Sequence, residues 1–259
     1  MNRASHPAAI QAKITQLGGW TLREFAQVDS TNFVAGSLPA WHAVRADTQT
    51  AGRGRFQRPW VSDAGGLWLS AVVPAPGRKE DWQLLPLVAG LAVIEALLTF
   101  GVAQARLRWP NDIMVGDRKL AGLLVDTFDP RRAVIGLGVN VTNQPAAQDA
   151  SLRNTATRLA DLVNPPPALA ELTAAILAHL RRKVEALAAG GFAALQPRLN
   201  QLWGGTPRVT VELDAGVRQG TFAGVDEHGR LLLRDEAGNR TALAAHEVRL
   251  LREIKFLPT

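Results

Sequence analysis

The apolar residues of this 259-residue chain change period near Gly204-Gly205-Thr206-Pro207, and that change limits the fold more than any other feature. Downstream, short alternating runs occupy Arg208 to Leu213, Val217 to Val225, Leu231 to Arg234, Thr241 to Leu243 and Glu247 to Leu250. They are separated by Asp214-Ala215-Gly216, Asp226-Glu227-His228-Gly229 and Glu236-Ala237-Gly238-Asn239. A period of two turns one face of each run inward, and turn residues at this spacing leave room only for hairpins, so this part predicts a small all-β barrel. Upstream, helix and strand periods mix. Leu84, Leu87, Val88, Leu91, Val93, Ile94, Leu97 and Leu98 make a wide apolar face that predicts a buried helix from Asp81 to Phe100, stopped by Gly101. Further helices are expected over Ala168 to Ala189 and near Phe192 to Leu202, with one short helix around Thr157 to Leu162. Strands are expected at Phe25 to Val28, Trp41 to Ala46, Gly66 to Val73, Ala105 to Trp109, Ile113 to Val115, Lys119 to Thr127 and Arg132 to Val141. A weak helical period, Ile10, Ile14 and Leu17, predicts a short N-terminal helix ended by Gly18-Gly19. The fold class is α+β: a mixed-sheet domain over residues 1–204 and a barrel over 205–259.

Composition excludes several functions. With no cysteine there is no disulfide and no thiolate metal site, and five scattered histidines show no metal-ligand spacing. The long apolar stretch Leu84 to Phe100 contains Pro86 and Glu95 and falls short of the ~20 residues of a membrane span. No apolar signal core follows the N-terminus, so the expectation is a soluble, cytoplasmic protein with no membrane partner. The formal charge of +6 is spread along the chain without an aromatic-interleaved stripe, and no helix-turn-helix precedes the core, so no DNA partner is expected. Acidic small molecules or an acidic protein suit the same charge.

Asp47 to Trp60 has no apolar period and cannot be a core helix or strand. Gly52 and Gly54 allow close backbone approach, and Arg53, Arg55 and Arg58 offer planar donor forks for carboxylate or phosphate. This stretch reads as a mobile anion-binding loop or as a solvated hairpin, and alone it does not choose. Three further polar clusters fall at strand ends or turns: Ser30-Thr31-Asn32, Trp109-Pro110-Asn111-Asp112 with Lys119, and Asn140. Cations here can hold a carboxylate against a nucleotide phosphate, and Asp112 and Asn140 can bind the Mg²⁺ of a triphosphate. Each cluster also has a plain reading. Capping explains Asp29 to Asn32, packing explains Trp109, an arginine pair explains Asp112, and a strand-end turn explains Asn140. No Walker A or dinucleotide glycine motif is present.

In order and approximate spacing, Asp29-Ser30-Thr31-Asn32, Gln49 with Gly52-Arg53-Gly54-Arg55 and Trp60, Trp109-Pro110-Asn111-Asp112, Arg118-Lys119-Leu120-Ala121-Gly122 and Gly138-Val139-Asn140 resemble the biotin protein ligases. Asn154 to Leu159 looks like a later turn of that family. The resemblance implies a catalytic domain of the biotin/lipoate ligase type followed by an SH3-like barrel. It implies a two-step reaction, in which ATP and biotin give biotinyl-5′-adenylate and pyrophosphate, and a carrier-protein lysine then takes the acyl group and releases AMP. By the same resemblance, Ser30, Thr31, Asn32, Gln49, Arg53, Gly54, Arg55, Lys119 and Gly122 are biotin-binding. Arg53, Arg55, Trp60, Asn111, Lys119 and Asn140 are nucleotide-binding, and Lys119, Arg55 and Asp112 are catalytic. Asp112 and Asn140 are assigned to a magnesium ion. The implied partner is the biotin carboxyl carrier protein of acetyl-CoA carboxylase or of a related carboxylase, and a homodimer stays open.

Two departures stand out: Gln57 occupies a later glycine position of the family's loop, and Pro59 precedes Trp60, which implies a stiffer loop. A lipoate protein ligase, a non-catalytic biotin or carrier-binding module and a nucleic-acid-binding protein remain alternatives. The Trp-Pro-Asn-Asp turn, the Gly-Arg-Gly-Arg loop and the C-terminal barrel favour biotin over lipoate.

Overall fold

A computed structural model describes residues 12–203, 205 and 207–254. Two sheets organise it. The first is built from β1 (Lys13–Leu17), β2 (Trp20–Val28), β3 (His42–Gln49), β4 (Leu67–Pro74), β5 (Ala105–Arg108), β6 (Asp112–Val115), β7 (Arg118–Asp129) and β8 (Arg132–Val139). Their spatial order is β1-β2-β3-β4-β8-β7-β6-β5, antiparallel except for the parallel pair β2 and β3. The second sheet contains β9 (Arg208–Leu213), β10 (Gly216–Val225), β11 (Leu231–Arg234), β12 (Arg240–Leu243) and β13 (Val248–Glu253), in the order β12-β11-β10-β9-β13 and wholly antiparallel. A mixed sheet followed by an SH3-like antiparallel unit is the expected α+β class.

Five α-helices are seen among the described residues: α1 (Thr31–Ala35), α2 (Leu85–Thr99), α3 (Pro145–Gln148), α4 (Leu169–Gly190) and α5 (Gln196–Gln201). Strand alternation divides the large sheet's faces. Ala43, Ala71, Val73, Ala133 and Ile135 join the main core with α2 and α4, while Val44, Val72 and Val134 face the other way and pack with Ala35 and Leu38 near α1. That second face carries the site. By length and a mean hydropathy of 1.7, Asp81–Thr99 is apolar enough to cross a membrane, but here Leu85, Leu87, Leu91 and Ile94 are taken up by the core.

One expected element is corrected. Residues 13–17 form an edge strand, not a helix; Ile10 lies outside the described residues. Gly18 and Gly19 adopt positive φ (56° and 82°) and turn the chain back, so β1 pairs with β2 from Lys13↔Glu24 to Leu17↔Trp20. Sheet hydrogen bonds outweigh a three-residue helical period whose Ile14 is left exposed. The expected short helix around residues 157–162 is reduced to a single 3₁₀ turn, Leu159–Asp161.

The two sheets are tied side by side. Trp109 Nε1 donates to the Gly229 carbonyl at 3.0 Å and Arg106 makes a two-toothed pair with Glu253, while Leu107 N–H donates to the Leu202 carbonyl at the end of α5. Trp109 is thus a packed anchor, as its plain reading predicts, and it fixes the turn that ends in Asp112.

Candidate active site

A cavity of about 590 Å³ opens on the second face of the large sheet, and all four sequence clusters line it together with Arg249 and Arg252 of β13. Its floor is made of glycines. Gly136 and Gly138 lie two apart on β8 and so point the same way, and Gly122 on β7 stands opposite Gly138. A Cβ at Gly136 would collide with the Asn32 amide, and one at Gly138 would lie 2.5 Å from Trp60 Nε1. The Asn32 and Trp60 side chains therefore rest on neighbouring steps of β8, about 7 Å apart along the strand.

At the first step, Ser30 precedes α1 but its side chain makes no cap, so capping does not explain this cluster. Instead Thr31 donates its N–H and its hydroxyl towards Gln49 Oε1 at 2.8 and 3.0 Å. The parallel pairing of β2 and β3, which sets Val28 beside Gln49, makes that contact possible. Gln49 Nε2 donates to Ser62 Oγ, and Ser62 donates to the Trp60 carbonyl. Asn32 donates from Nδ2 to Asp126 Oδ2 at 2.7 Å, and its Oδ1 lies 2.6 Å from Ser70 Oγ. Sequence reading missed Ser62, Ser70 and Asp126. Ser70 did leave a signal, a hydroxyl in the apolar run Leu67-Trp68-Leu69-Ser70-Ala71-Val72-Val73, because a fully buried hydroxyl must find a partner.

The arginine-bearing segment is a folded hairpin. Trp60 N–H donates to Gly52 O and Gly54 N–H to Arg58 O, with one turn at Arg55–Gln57. Arg53 reaches Gln57 Oε1 at 3.3 Å. Arg55 does not point to a free anion site; it donates to the Ala245 and Val248 carbonyls at 2.6 and 3.1 Å, tying the hairpin to the second sheet. Burial lowers the Arg55 pKa and Arg58 adds to this, while Asp112 opposes it. Phe56 is sandwiched by cations, with Arg55 and Arg249 each about 4.9 Å from its ring centre (4.8 and 4.9 Å).

At the second step Lys119 Nζ lies 2.6 Å from Asp112 Oδ1 and 4.9 Å from the centre of the Trp60 ring. Arg108, another residue that sequence reading missed, takes Asp112 Oδ2 at 2.7 Å. Burial pushes the Asp112 pKa up, but the Lys119 and Arg108 charges and their hydrogen bonds outweigh it and hold the carboxyl below its ordinary value. Gly122 leaves room for this pair, since a Cβ there would lie 3.1 Å from Lys119 Nζ. Asn111 Nδ2 is bonded to Leu123 O, and Asn140 bridges Thr157 O and Asn143 Nδ2, so both amides brace the cavity wall. Trp60 Nε1 is buried against Gly138 and makes no hydrogen bond.

The donor set does not fit a protein-held magnesium ion. Both Asp112 oxygens already face cations, the Asn140 oxygen accepts from Asn143, and no group of three or more His, Asp or Glu gathers among the described residues. With Lys119 and Arg108 against one carboxylate, and Arg55 close enough to feel it, the site carries an excess of positive charge suited to phosphate.

Residues 25–140 match the biotin/lipoate A/B protein ligase family, and residues 208–253 match the biotin protein ligase C terminal domain. The biotin–[acetyl-CoA-carboxylase] ligase of Mycobacterium tuberculosis is 35% identical over 216 residues, covering 80% of this chain and 78% of the relative. The chain belongs to the biotin protein ligase family. The bifunctional ligase/repressor BirA of Bacillus subtilis is 29% identical over 219 residues, and the match spans 66% of that relative's length and 81% of this chain. Among solved structures, the biotin protein ligase from Aquifex aeolicus in complex with biotin and ATP superposes with a TM-score of 0.80 at 28% identity, over 90% of this chain and 99% of that one. The biotin protein ligase fold thus accounts for both sheets.

Proposed function

We propose that this chain is an ATP-dependent biotin–protein ligase of the cytoplasm, with residues 1–204 as its catalytic domain and 205–259 as its barrel. One observation carries the reading: a single cavity sets an uncharged hydrogen-bonding cluster, Thr31, Asn32 and Gln49, one strand step from the Lys119–Asp112–Arg108 charge cluster. A cyclic urea suits the first, and a carboxylate meeting a phosphate suits the second.

In the first step a biotin carboxylate oxygen attacks the α-phosphorus of ATP, the bond to the β-phosphate oxygen breaks, and pyrophosphate leaves. Lys119 stabilises the charge on the transferring phosphoryl oxygens, and Asp112, itself paired with Arg108, holds the ammonium in position. Trp60 gives the reacting groups a flat wall, with its Nε1 edge lying against Gly138 of β8. Arg53, Gly54 and Arg55 form the hairpin that closes one side. In the second step an uncharged lysine amine of a carboxylase biotin carrier attacks the acyl carbon, AMP leaves, and the amine gives up a proton. Magnesium would enter as the counter-ion of ATP, with no protein residue assigned to hold it.

The test is ATP–pyrophosphate exchange with purified protein and Mg²⁺, run with biotin, with lipoate and with neither. Exchange that depends on biotin is the expected result, followed by labelling of a carrier lysine. Exchange with lipoate alone would move the activity to the sister ligases.

A further inference from the structure

Asn32 spans three strands. Its Nδ2 donates to Asp126 on β7 at 2.7 Å, its Oδ1 meets Ser70 on β4 at 2.6 Å, and between them it lies over Gly136 on β8, where a Cβ would strike the amide. The pairing of Ser70↔Gly136 and Leu124↔Gly136 puts these positions in one row across the sheet, with Asp126 two residues further along β7 and on the same face. Ser70 is completely buried and Asn32 nearly so, and Asp126 is not part of the cavity wall.

The direction of each proton follows. A carboxylate accepts only, so Asp126 requires the nitrogen end of Asn32 and rejects the oxygen end. The oxygen end then faces Ser70, whose single proton goes to it. Ser70 is also 2.7 Å from Thr31 Oγ1, so with its own proton spent it can only accept there. Thr31 must supply that bond, or donate to Gln49 Oε1, which already takes the Thr31 N–H. An amide has two N–H groups and two lone pairs; after Asp126 and Ser70 take one each, Asn32 keeps one of each.

We infer that Asp126 and Ser70 are positioning residues for substrate recognition: they lock the Asn32 amide in one of its two orientations, and so fix which polar edge the cavity offers to a cyclic urea. Neither touches the substrate. Without the carboxylate, rotation of the amide by 180° exchanges donor and acceptor, and a urea then meets the wrong group. Gly136 is the third member of the device, since only a residue without a side chain lets the amide lie across β8. The inference rests on the biotin reading above and adds to it the residues that select the ring.

The experiment measures biotin binding by calorimetry and the KM for ATP in the exchange reaction, for the wild-type chain, Asp126→Ala, Asp126→Asn and Ser70→Ala. Asp126→Ala is expected to weaken biotin about tenfold or more and to narrow the preference for biotin over lipoate, with the KM for ATP unchanged. Asp126→Asn fills the same space, but its amide can donate as well as accept and so no longer rejects the oxygen end of Asn32; it is expected to stay weakened in the same way. Ser70→Ala should resemble Asp126→Ala. Wild-type affinity in Asp126→Ala would overturn the inference, and so would equal losses for biotin and ATP or full recovery in Asp126→Asn. A wild-type chain that binds ATP but no biotin would instead overturn the functional reading and this inference with it.

Discussion

Gly122 and Gly138 stand opposite each other on β7 and β8, and the Trp60 indole lies over both, closer than a side chain at Gly138 would allow and tight against one at Gly122. The flat wall of the cavity is therefore made by two absent side chains as much as by the aromatic ring. Gly138→Ala is expected to displace the indole, because its Cβ would come within 2.5 Å of Nε1. Strands tolerate alanine, so the melting temperature should change little while biotin-dependent exchange falls about tenfold or more. Exchange rates beside tryptophan fluorescence check this, and an unaltered indole environment would refute the platform.

Lys119→Ala should slow adenylate formation about a hundredfold, the ~3 kcal/mol that one well-placed donor contributes to a transition state. Arg108 remains on Asp112 in this variant, so the turn that carries the carboxylate stays neutralised. The KM for ATP is expected to move much less than kcat in single-turnover measurements. Equal loss in both would make Lys119 a binding residue only.

Asp112 links stability to pH. Its folded pKa is below the ordinary 3.8, so the stability it contributes is fully present above about pH 4 and is lost as pH falls through the lower folded value. Asp112→Asn leaves two partly buried cations without their counter-charge and should cost about 2 kcal/mol at pH 7. The difference from wild type, read by urea unfolding, is expected to stay level from pH 7 to about pH 4 and to shrink below that. A difference that grows towards low pH would contradict the pairing.

The hairpin turn holds Phe56 and Gln57 at φ of 56° and 59°, the left-handed region that favours glycine. Gln57→Gly should relieve about 1 kcal/mol of backbone strain, less what the 3.3 Å bond from Arg53 contributes. Slower amide exchange across the hairpin is the expected readout. Arg55→Ala should have the opposite effect, since it removes both bonds to the second sheet.

Much of the architecture was legible as local pattern. Alternation marked β9 to β13, the apolar face of residues 84–98 marked α2, and the glycine, proline and asparagine punctuation placed the turns where Asp112 and Lys119 approach each other. These readings need only neighbours in sequence, because helix and strand periods are set by backbone geometry. The order of the polar clusters along the chain was enough to suggest the family.

What the tertiary structure alone decided was partnership across strands. Residues 13–17 became a strand because an open sheet edge lay beside them, and Arg55 turned to carbonyls of the second sheet 190 and 193 residues away. Asp126 looks unremarkable in sequence and Ser70 shows only as a hydroxyl in an apolar run, yet strand order β4-β8-β7 brings both to Asn32, with Gly136 beneath it. Periodicity reports which face a residue takes; which residues share that face depends on register between distant strands, and that is set by the packing of the whole sheet.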